Sequence, residues 1–353
     1  GLGFGALVLI ALGLGGMSVW SMNAVRKTAH ELADMRLPGA KVANEVERKS
    51  LHTMFEMRGF AYTGEKRFWD KAREQIAMTK DRLDAAVRDV ATQSLAWAAT
   101  SPRERAELLS RVVADTYEVA EDWAAAACAA KGYSSDSVEG GEELFSGVGT
   151  FLRMANAFRQ SMIDIIEKGR PQYPGPVRHK PGNRIAIQVV PGSGFDKLLY
   201  AGMSGEVWME PGVSEADVQA TQAEAYKNPV EHAGVSLVLG AGNVASLGPR
   251  DVLTKLFAEG KVVVLKANPV NDYLVPFWEK AMAALIEPGY LRIVRGGAQV
   301  GAYLTHHPLI QDIHVTGSDK THDAIVFGVG EEGARRKAAG ERNSRRTRSA
   351  KRA

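Results

Sequence analysis

The sequence has one cysteine, Cys128, in 353 residues. That excludes a disulfide within the chain and any zinc or iron–sulfur site built from several thiolates. It also lacks a chain-wide excess of one charge. The net of +3 is concentrated at one end, because residues 335–353 hold nine Lys/Arg and one Glu, and residues 1–334 carry a net of −5. A mildly acidic body argues against a broad nucleic-acid-binding surface, and no specific nucleic-acid partner is expected. Charge is missing altogether before Arg26. What remains is ordinary for a globular chain: 45% apolar and 24% charged residues, in a length that allows two domains or three and a sizeable core.

The uncharged opening, GLGFGALVLIALGLGGMSVWSMNAV, covers residues 1–25. As a helix it would span about 37 Å, against a hydrocarbon core of roughly 30 Å, so a membrane helix is expected there. Trp20 suits an interfacial position, with Arg26 and Lys27 just outside the core. A secretory signal and a buried helix are the alternatives; the run is long for a signal, and no basic n-region or A-x-A site is present. Residues 26–89 read as a helical hairpin. Ala43, Val46, Ser50, Met54, Met57 and Ala61 step by three and four; after a break near Thr63-Gly64, Ala72, Ile76, Thr79, Leu83, Ala86 and Val90 do the same. A membrane helix followed by RLPGAKVANEVERKSLHTMFEMRGFAYTGEKRFWDKA resembles the start of a bacterial methyl-accepting chemotaxis receptor, over roughly residues 1–85. The resemblance implies a helical sensor outside the bacterial inner membrane. The second span and the signalling coiled coil of that family have no counterpart in this sequence.

Beyond residue 90 the character changes. Ser101-Pro102 looks like a helix cap and first-turn pair ahead of an alanine-rich helix, and residues 138–168 add another. Seven of the fourteen prolines fall in residues 171–229, which read as turns and short strands such as Arg184–Val190. From residue 235, VSLVLG, KVVVLK, LRIVRG and DIHVTG are β-branched runs separated by helical stretches. The expected fold class is α/β: a Rossmann-like parallel sheet with crossover helices, preceded by the membrane helix and hairpin.

Gly240-Ala241-Gly242-Asn243-Val244-Ala245 follows a predicted strand, opens a predicted helix and fits G-x-G-x-x-G/A. Its glycines would let backbone approach a pyrophosphate at a helix N-terminus. That pattern also asks for an acidic residue at the end of the next strand, where this chain has Lys266, which cannot accept from a ribose hydroxyl as a carboxylate does. The lysine fits another family. Residues 90–341 resemble aldehyde dehydrogenases: WAATSPRERAELLSRV resembles their N-terminal helix, VSLVLGAGNVAS their asparagine-bearing loop, EGKVVVLKANP their G-x-x-V-V-x-K-P segment, and GYLRIVRGG and HHPLIQDIHVTGS their later strands and Thr-Gly-Ser turn. The resemblance implies NAD(P)-dependent oxidation of an aldehyde to an acid. Asn243 would be the oxyanion donor, Lys266 the ligand of the adenosine ribose or of a 2′-phosphate, and Gly317 and Ser318 the turn at the pyrophosphate, with Gly240, Ala241 and Gly242 along the cofactor. Gly240-Ala241-Gly242 replaces the usual Thr-Pro-Trp, and His314-Val315 stands where an aromatic usually precedes Thr316.

The nucleophilic cysteine and the general-base glutamate of that family have no match up to residue 341. Cys128 reads as a small buried hydrophobe, and His306-His307 before a proline as solvent-facing. The 353-residue chain is therefore expected to be catalytically inactive, with weak or lost NAD or NADP binding. The family itself is cytoplasmic. Residues 342–353 read as a basic disordered tail, of the kind a shifted reading frame gives, rather than a nucleic-acid- or lipid-binding arm. Self-association through exposed surface is expected. A membrane-anchored chemoreceptor-like module and another Rossmann-type dehydrogenase stay open as alternatives.

Overall fold

A computed structural model describes residues 56–341 and 350–352 of the chain. The membrane helix expected at residues 1–25 and most of the first seam of the hairpin lie outside the described residues. Among the described residues no helix is long and apolar enough to cross a membrane.

Residues 56–63 are helical, and helix α1 follows at Lys66–Thr92. The break falls where the sequence puts it. Gly64 takes a left-handed φ of 69°, which a side chain would resist. Beside it, the Thr63 hydroxyl donates back to the Gly59 carbonyl at 2.7 Å. Phe60 and Trp69 stack across the two helices with ring centroids 5.5 Å apart. Along α1, Leu83, Ala86, Val87 and Val90 are buried in the main core, while Ile76 stands 54% exposed. Position 89/90, taken from the sequence as a boundary, lies inside α1, whose C-terminal half packs on the main sheet.

After a short helix at Ser94–Ala99 comes α2, Pro102–Lys131. Ser101 and Glu104 form a reciprocal capping box and Gly132 closes the helix in the left-handed region, so both ends satisfy groups that would otherwise lack partners. A short helical turn and a π-helical segment, Glu143–Gly149, lead into α3, Thr150–Lys168. Strands β1 (Val177–Lys180), β2 (Arg184–Val190) and β3 (Gly205–Trp208) form a small antiparallel sheet.

The main sheet is parallel. Its elements are β4 (Val235–Leu239), α4 (Leu247–Leu253), β5 (Val262–Lys266), α5 (Val275–Ala281), β6 (Leu291–Val294), α6 (Ala298–Thr305), β7 (Ile310–Val315), α7 (Asp319–Val326), α8 (Gly330–Ala339) and β8 (Ala350–Arg352). The strand order is β6-β5-β4-β7-β8. Strands β4 and β5 are buried along nearly their whole length, as expected for strands covered on both faces. The chain steps outward from β4 through β5 to β6, then returns across β4 to β7. Right-handed crossovers therefore put α4 and α5 on one face and α6 on the other. Helix α1 joins α6: the Tyr303 hydroxyl bonds Asp84 of α1, and His307 Nε2 lies 3.4 Å from the same carboxylate.

Two sequence expectations are corrected here. His307 does not face solvent; its side chain is 6% exposed against Asp84, an acid from a helix far away in sequence, while His306 is exposed. The tail is not without regular structure throughout, because the backbone of Ala350–Arg352 pairs in parallel with β7.

Three features tie the layers together. Trp97 is fully buried and donates from Nε1 to the Leu256 carbonyl at 3.2 Å; the Arg105 guanidinium lies 4.1 Å above its ring. Lys255, fully buried, places Nζ 2.8 Å from Asp312 and 2.9 Å from Glu259. Ser236 donates to the same Asp312 oxygen at 2.6 Å. Glu279 of α5 is 5% exposed, and burial pushes its carboxyl up to about 7 from 4.5, opposed by Arg295. Between those two values the folded chain binds more protons than the unfolded one, so this group weakens the fold as pH rises from about 4.5 to about 7. The loss is at most about 3 kcal/mol. Urea unfolding at pH 5 and pH 8 should show the parent losing more stability with pH than Glu279→Gln; parallel losses would refute this.

Candidate functional site

The strand order reverses between β4 and β7, because β4 is followed by α4 on one face and β7 is reached from α6 on the other. Open α/β sheets bind ligands at such a switch point, in the crevice beyond the carboxyl ends of the strands. Three of the sequence-derived segments leave the sheet there. Lys266, Leu239 and Val315 pair in one row across β5, β4 and β7. At a strand spacing of about 4.8 Å, Lys266 and Val315 are roughly 10 Å apart through their Cα atoms. The turns at Gly240 and Thr316-Gly317 begin at the same level.

Aligned residues of a parallel sheet point to the same face. Leu239 faces α6, since a Cβ on Gly301 would sit 3.9 Å from its Cδ2. Lys266 and Val315 therefore share the α6 face. Lys266 is only 8% exposed; burial lowers its ammonium below the usual lysine range, with Asp272 pulling it back up. Among the described residues its ammonium makes no hydrogen bond or ion pair within contact distance. A desolvated ammonium without a close partner at the crevice is a donor available to a hydroxyl or an anion.

On the β7 side, Gly317 adopts φ 150° and faces open space. Ser318 caps α7, accepting from the Lys320 amide at 3.2 Å. Both residues are exposed, so the positive end of α7 opens to the crevice.

The β4 loop is held differently from the expectation. Gly240 donates to the Lys266 carbonyl at 3.0 Å, and Asn271, 4% exposed, donates from Nδ2 to the Ala241 carbonyl at 3.0 Å. A Cβ on Gly242 would meet the Asn268 side chain at 3.0 Å. The Gly242 contact is with the segment after β5 and does not itself require a ligand. The helix also starts later than the motif predicts: α4 begins at Leu247, after a turn through Val244–Ser246. Ser246 is fully buried and donates to the Ser146 carbonyl at 2.8 Å, which fixes the turn from below. Asn243 projects from this loop exposed and, among the described residues, makes no hydrogen bond through its side chain.

Two other candidates fall elsewhere. His314 pairs in register with Val238 and faces α4, its Nε2 3.3 Å from Asp251 and 3.2 Å from the Thr316 hydroxyl; it lies on the opposite face from Lys266. Cys128 is 1% exposed on α2, and burial first, then Glu143, raises its thiol above the usual range. That is the setting of an unreactive structural thiol. Sequence reasoning missed Asn268 and Asn271, which tie the glycine loop to β5. The signal was present as Asn-Pro after a strand, a common turn opener, but its partner could be known only once β4 and β5 were paired.

No protein-family model matches the sequence. Among solved structures, the chain is similar to aldehyde dehydrogenase C from Pseudomonas syringae, determined with NAD+ and octanal. There the identity is 17%, with 70% of this chain and 39% of that chain covered, and the TM-score is 0.40. It is also similar to a NAD-dependent benzaldehyde dehydrogenase from Corynebacterium glutamicum, at 14% identity, 70% and 43% coverage and TM-score 0.43. Proline utilization A from Bradyrhizobium japonicum gives 17%, 74% and 23%, with TM-score 0.46. The chain spans less than half the length of each.

Proposed function

We propose that residues 90–341 are the dinucleotide-binding portion of an aldehyde dehydrogenase-like protein, taking NAD or NADP. What supports the reading is that Lys266 and the Gly317-Ser318 turn stand at the carboxyl ends of strands aligned in one row at the sheet's switch point. Lys266 suits a ribose hydroxyl or a 2′-phosphate, since its ammonium is partly desolvated and has no close partner. The open N-terminus of α7, with Gly317 leaving space for close approach, suits a pyrophosphate. Gly240 and Ala241 would border the ribose side, Gly242 being turned toward Asn268. The exposed amide of Asn243 would donate to a substrate oxygen as it gains charge. The bound nicotinamide supplies hydride acceptance; the chain's own residues bind and orient it.

The 353-residue polypeptide is proposed to be inactive toward aldehydes, because its single thiol is sealed in α2. Calorimetry on the whole chain should detect NAD+ or NADP+ binding, weakened about tenfold or more by Lys266→Ala, the loss expected for one hydrogen bond to a charged group. Unchanged affinity in that variant would favour a different Rossmann-type mode through the glycine loop. Aldehyde-dependent reduction of NAD(P)+ by the same preparation would overturn the inactive assignment while leaving the cofactor reading intact.

A further inference from the structure

Beside β6, which among the described residues is an edge of the main sheet, and away from the switch point, lies a groove of about 830 Å³. One wall is the C-terminal half of α1, from Arg82 to Thr92; the other is the short helix Ala283–Ile286 with Glu287. Arg292, Ile293 and Val294 of β6 form its floor. Most of the surface is apolar, supplied by Ala85, Ala86, Ala283, Ile286 and Ile293. Among the described residues, strand β6 ends the sheet on this side. Tyr290 and Val294 give their carbonyls to β5, so the alternate residue Ile293 directs its N–H and C=O outward along the groove.

Of the polar residues lining it, Glu279 is the buried one. It lines the groove, is 5% exposed, and its Oε2 has no hydrogen-bond partner. Buried carboxylates are normally paired, and one left without a donor is costly. The charges around it are largely committed elsewhere. On α1, Asp89 holds Arg292 at 2.5 Å; Glu287 is held by Arg111 of α2 at 3.0 Å; Arg82 has a partner of its own, and Arg88 is exposed. Arg295, beyond β6, acts on Glu279 only as a nearby charge. An apolar groove with one unpaired acid at depth is complementary to a protonated amine on an apolar body: the ammonium supplies the missing donors, and the body covers the alanine and isoleucine walls.

We propose that the groove between α1 and β6 is a binding site for a small organic ammonium ion with an apolar body, held by Glu279. This site is independent of the nucleotide crevice and of any reaction there. Burial that raises the Glu279 carboxyl to about 7 makes the empty groove take up a proton near neutrality, and an ammonium would displace it.

The test is calorimetry on the whole chain with three probes sharing one ring system: tryptamine, the neutral indole-3-ethanol and the anionic indole-3-propionate. At pH 8 tryptamine should bind at least about tenfold more tightly than indole-3-ethanol, with indole-3-propionate weakest. From pH 6 to pH 8 the tryptamine affinity should rise about tenfold, as the ionised fraction of Glu279 does. Glu279→Gln should bring tryptamine down to the level of indole-3-ethanol while leaving the latter bound, which also shows that the variant is folded. Ala85→Trp, at an exposed position on the groove wall, should abolish binding of all three. Equal binding of tryptamine and indole-3-ethanol by the parent chain would overturn the proposal. So would a tryptamine preference that survives Glu279→Gln, or no saturable binding at millimolar probe.

Discussion

Lys255→Met is expected to destabilise the fold by about 3–5 kcal/mol, the cost of breaking one side of a buried ion pair. Lys255 is fully buried, and Asp312 beneath it is 2% exposed. The lysine is the cation 2.8 Å from Asp312; without it a carboxylate stays between β7 and α4 with only Ser236 donating. Glu259, the other acceptor, keeps 26% side-chain exposure and can turn to water. Urea unfolding with an unchanged m-value measures the loss. The triple change Lys255→Met, Asp312→Leu, Ser236→Ala should recover most of it, because a fully apolar replacement leaves no charge stranded. A loss under about 1 kcal/mol for the single variant would mean that water reaches Asp312.

Trp97→Ala should cost about 3–5 kcal/mol, as for large aromatic truncations in cores. The ring meets Phe257 edge-on with centroids 5.4 Å apart and Tyr290 at 4.7 Å. Arg105, 1% exposed, stacks on it and donates to its carbonyl at 2.7 Å. Truncation leaves a cavity and takes one of two aromatic faces from a buried guanidinium, Tyr226 remaining at 4.8 Å. Trp97→Phe should cost less, roughly 1–3 kcal/mol: a smaller volume change and the lost Nε1 donor to Leu256. Thermal unfolding of the two variants ranks them; equal melting temperatures would show that the site collapses around alanine.

The four strands of the main sheet could be read because each is a short run rich in Val, Ile and Leu, as strands covered on both faces are. They became Val235–Leu239, Val262–Lys266, Leu291–Val294 and Ile310–Val315. Ser101-Pro102 was legible because capping is local chemistry. Lys266 and Gly317 could be placed at strand ends from sequence, but that Lys266 and Val315 share one face with Leu239 follows only from the register. The late start of α4 was not legible: Ser246 is set by Ser146 and Thr150, about a hundred residues earlier. His307 was misread for the same reason, its partner being Asp84. Glu279 gave no sign at all. One acid in an amphipathic helix is ordinarily solvated, and only the packing of α5 buries it.

Helix α1 runs unbroken for 27 residues, about 40 Å. Ala72 is buried near its start, and its residues in the main core begin at Leu83, roughly 26 Å along. Among the described residues, its ties to the sheet layer gather at the far end, as on a clamped lever. The clamp is made by Asp84 on α6, Asp89 on Arg292 and the buried apolar row between them. With no joint after Gly64, a lateral load near Lys66 arrives at Ala85 and Ala86 as torque. The groove beside β6 has such a lever for one of its walls, so its width and the position of that distant end are one mechanical coordinate.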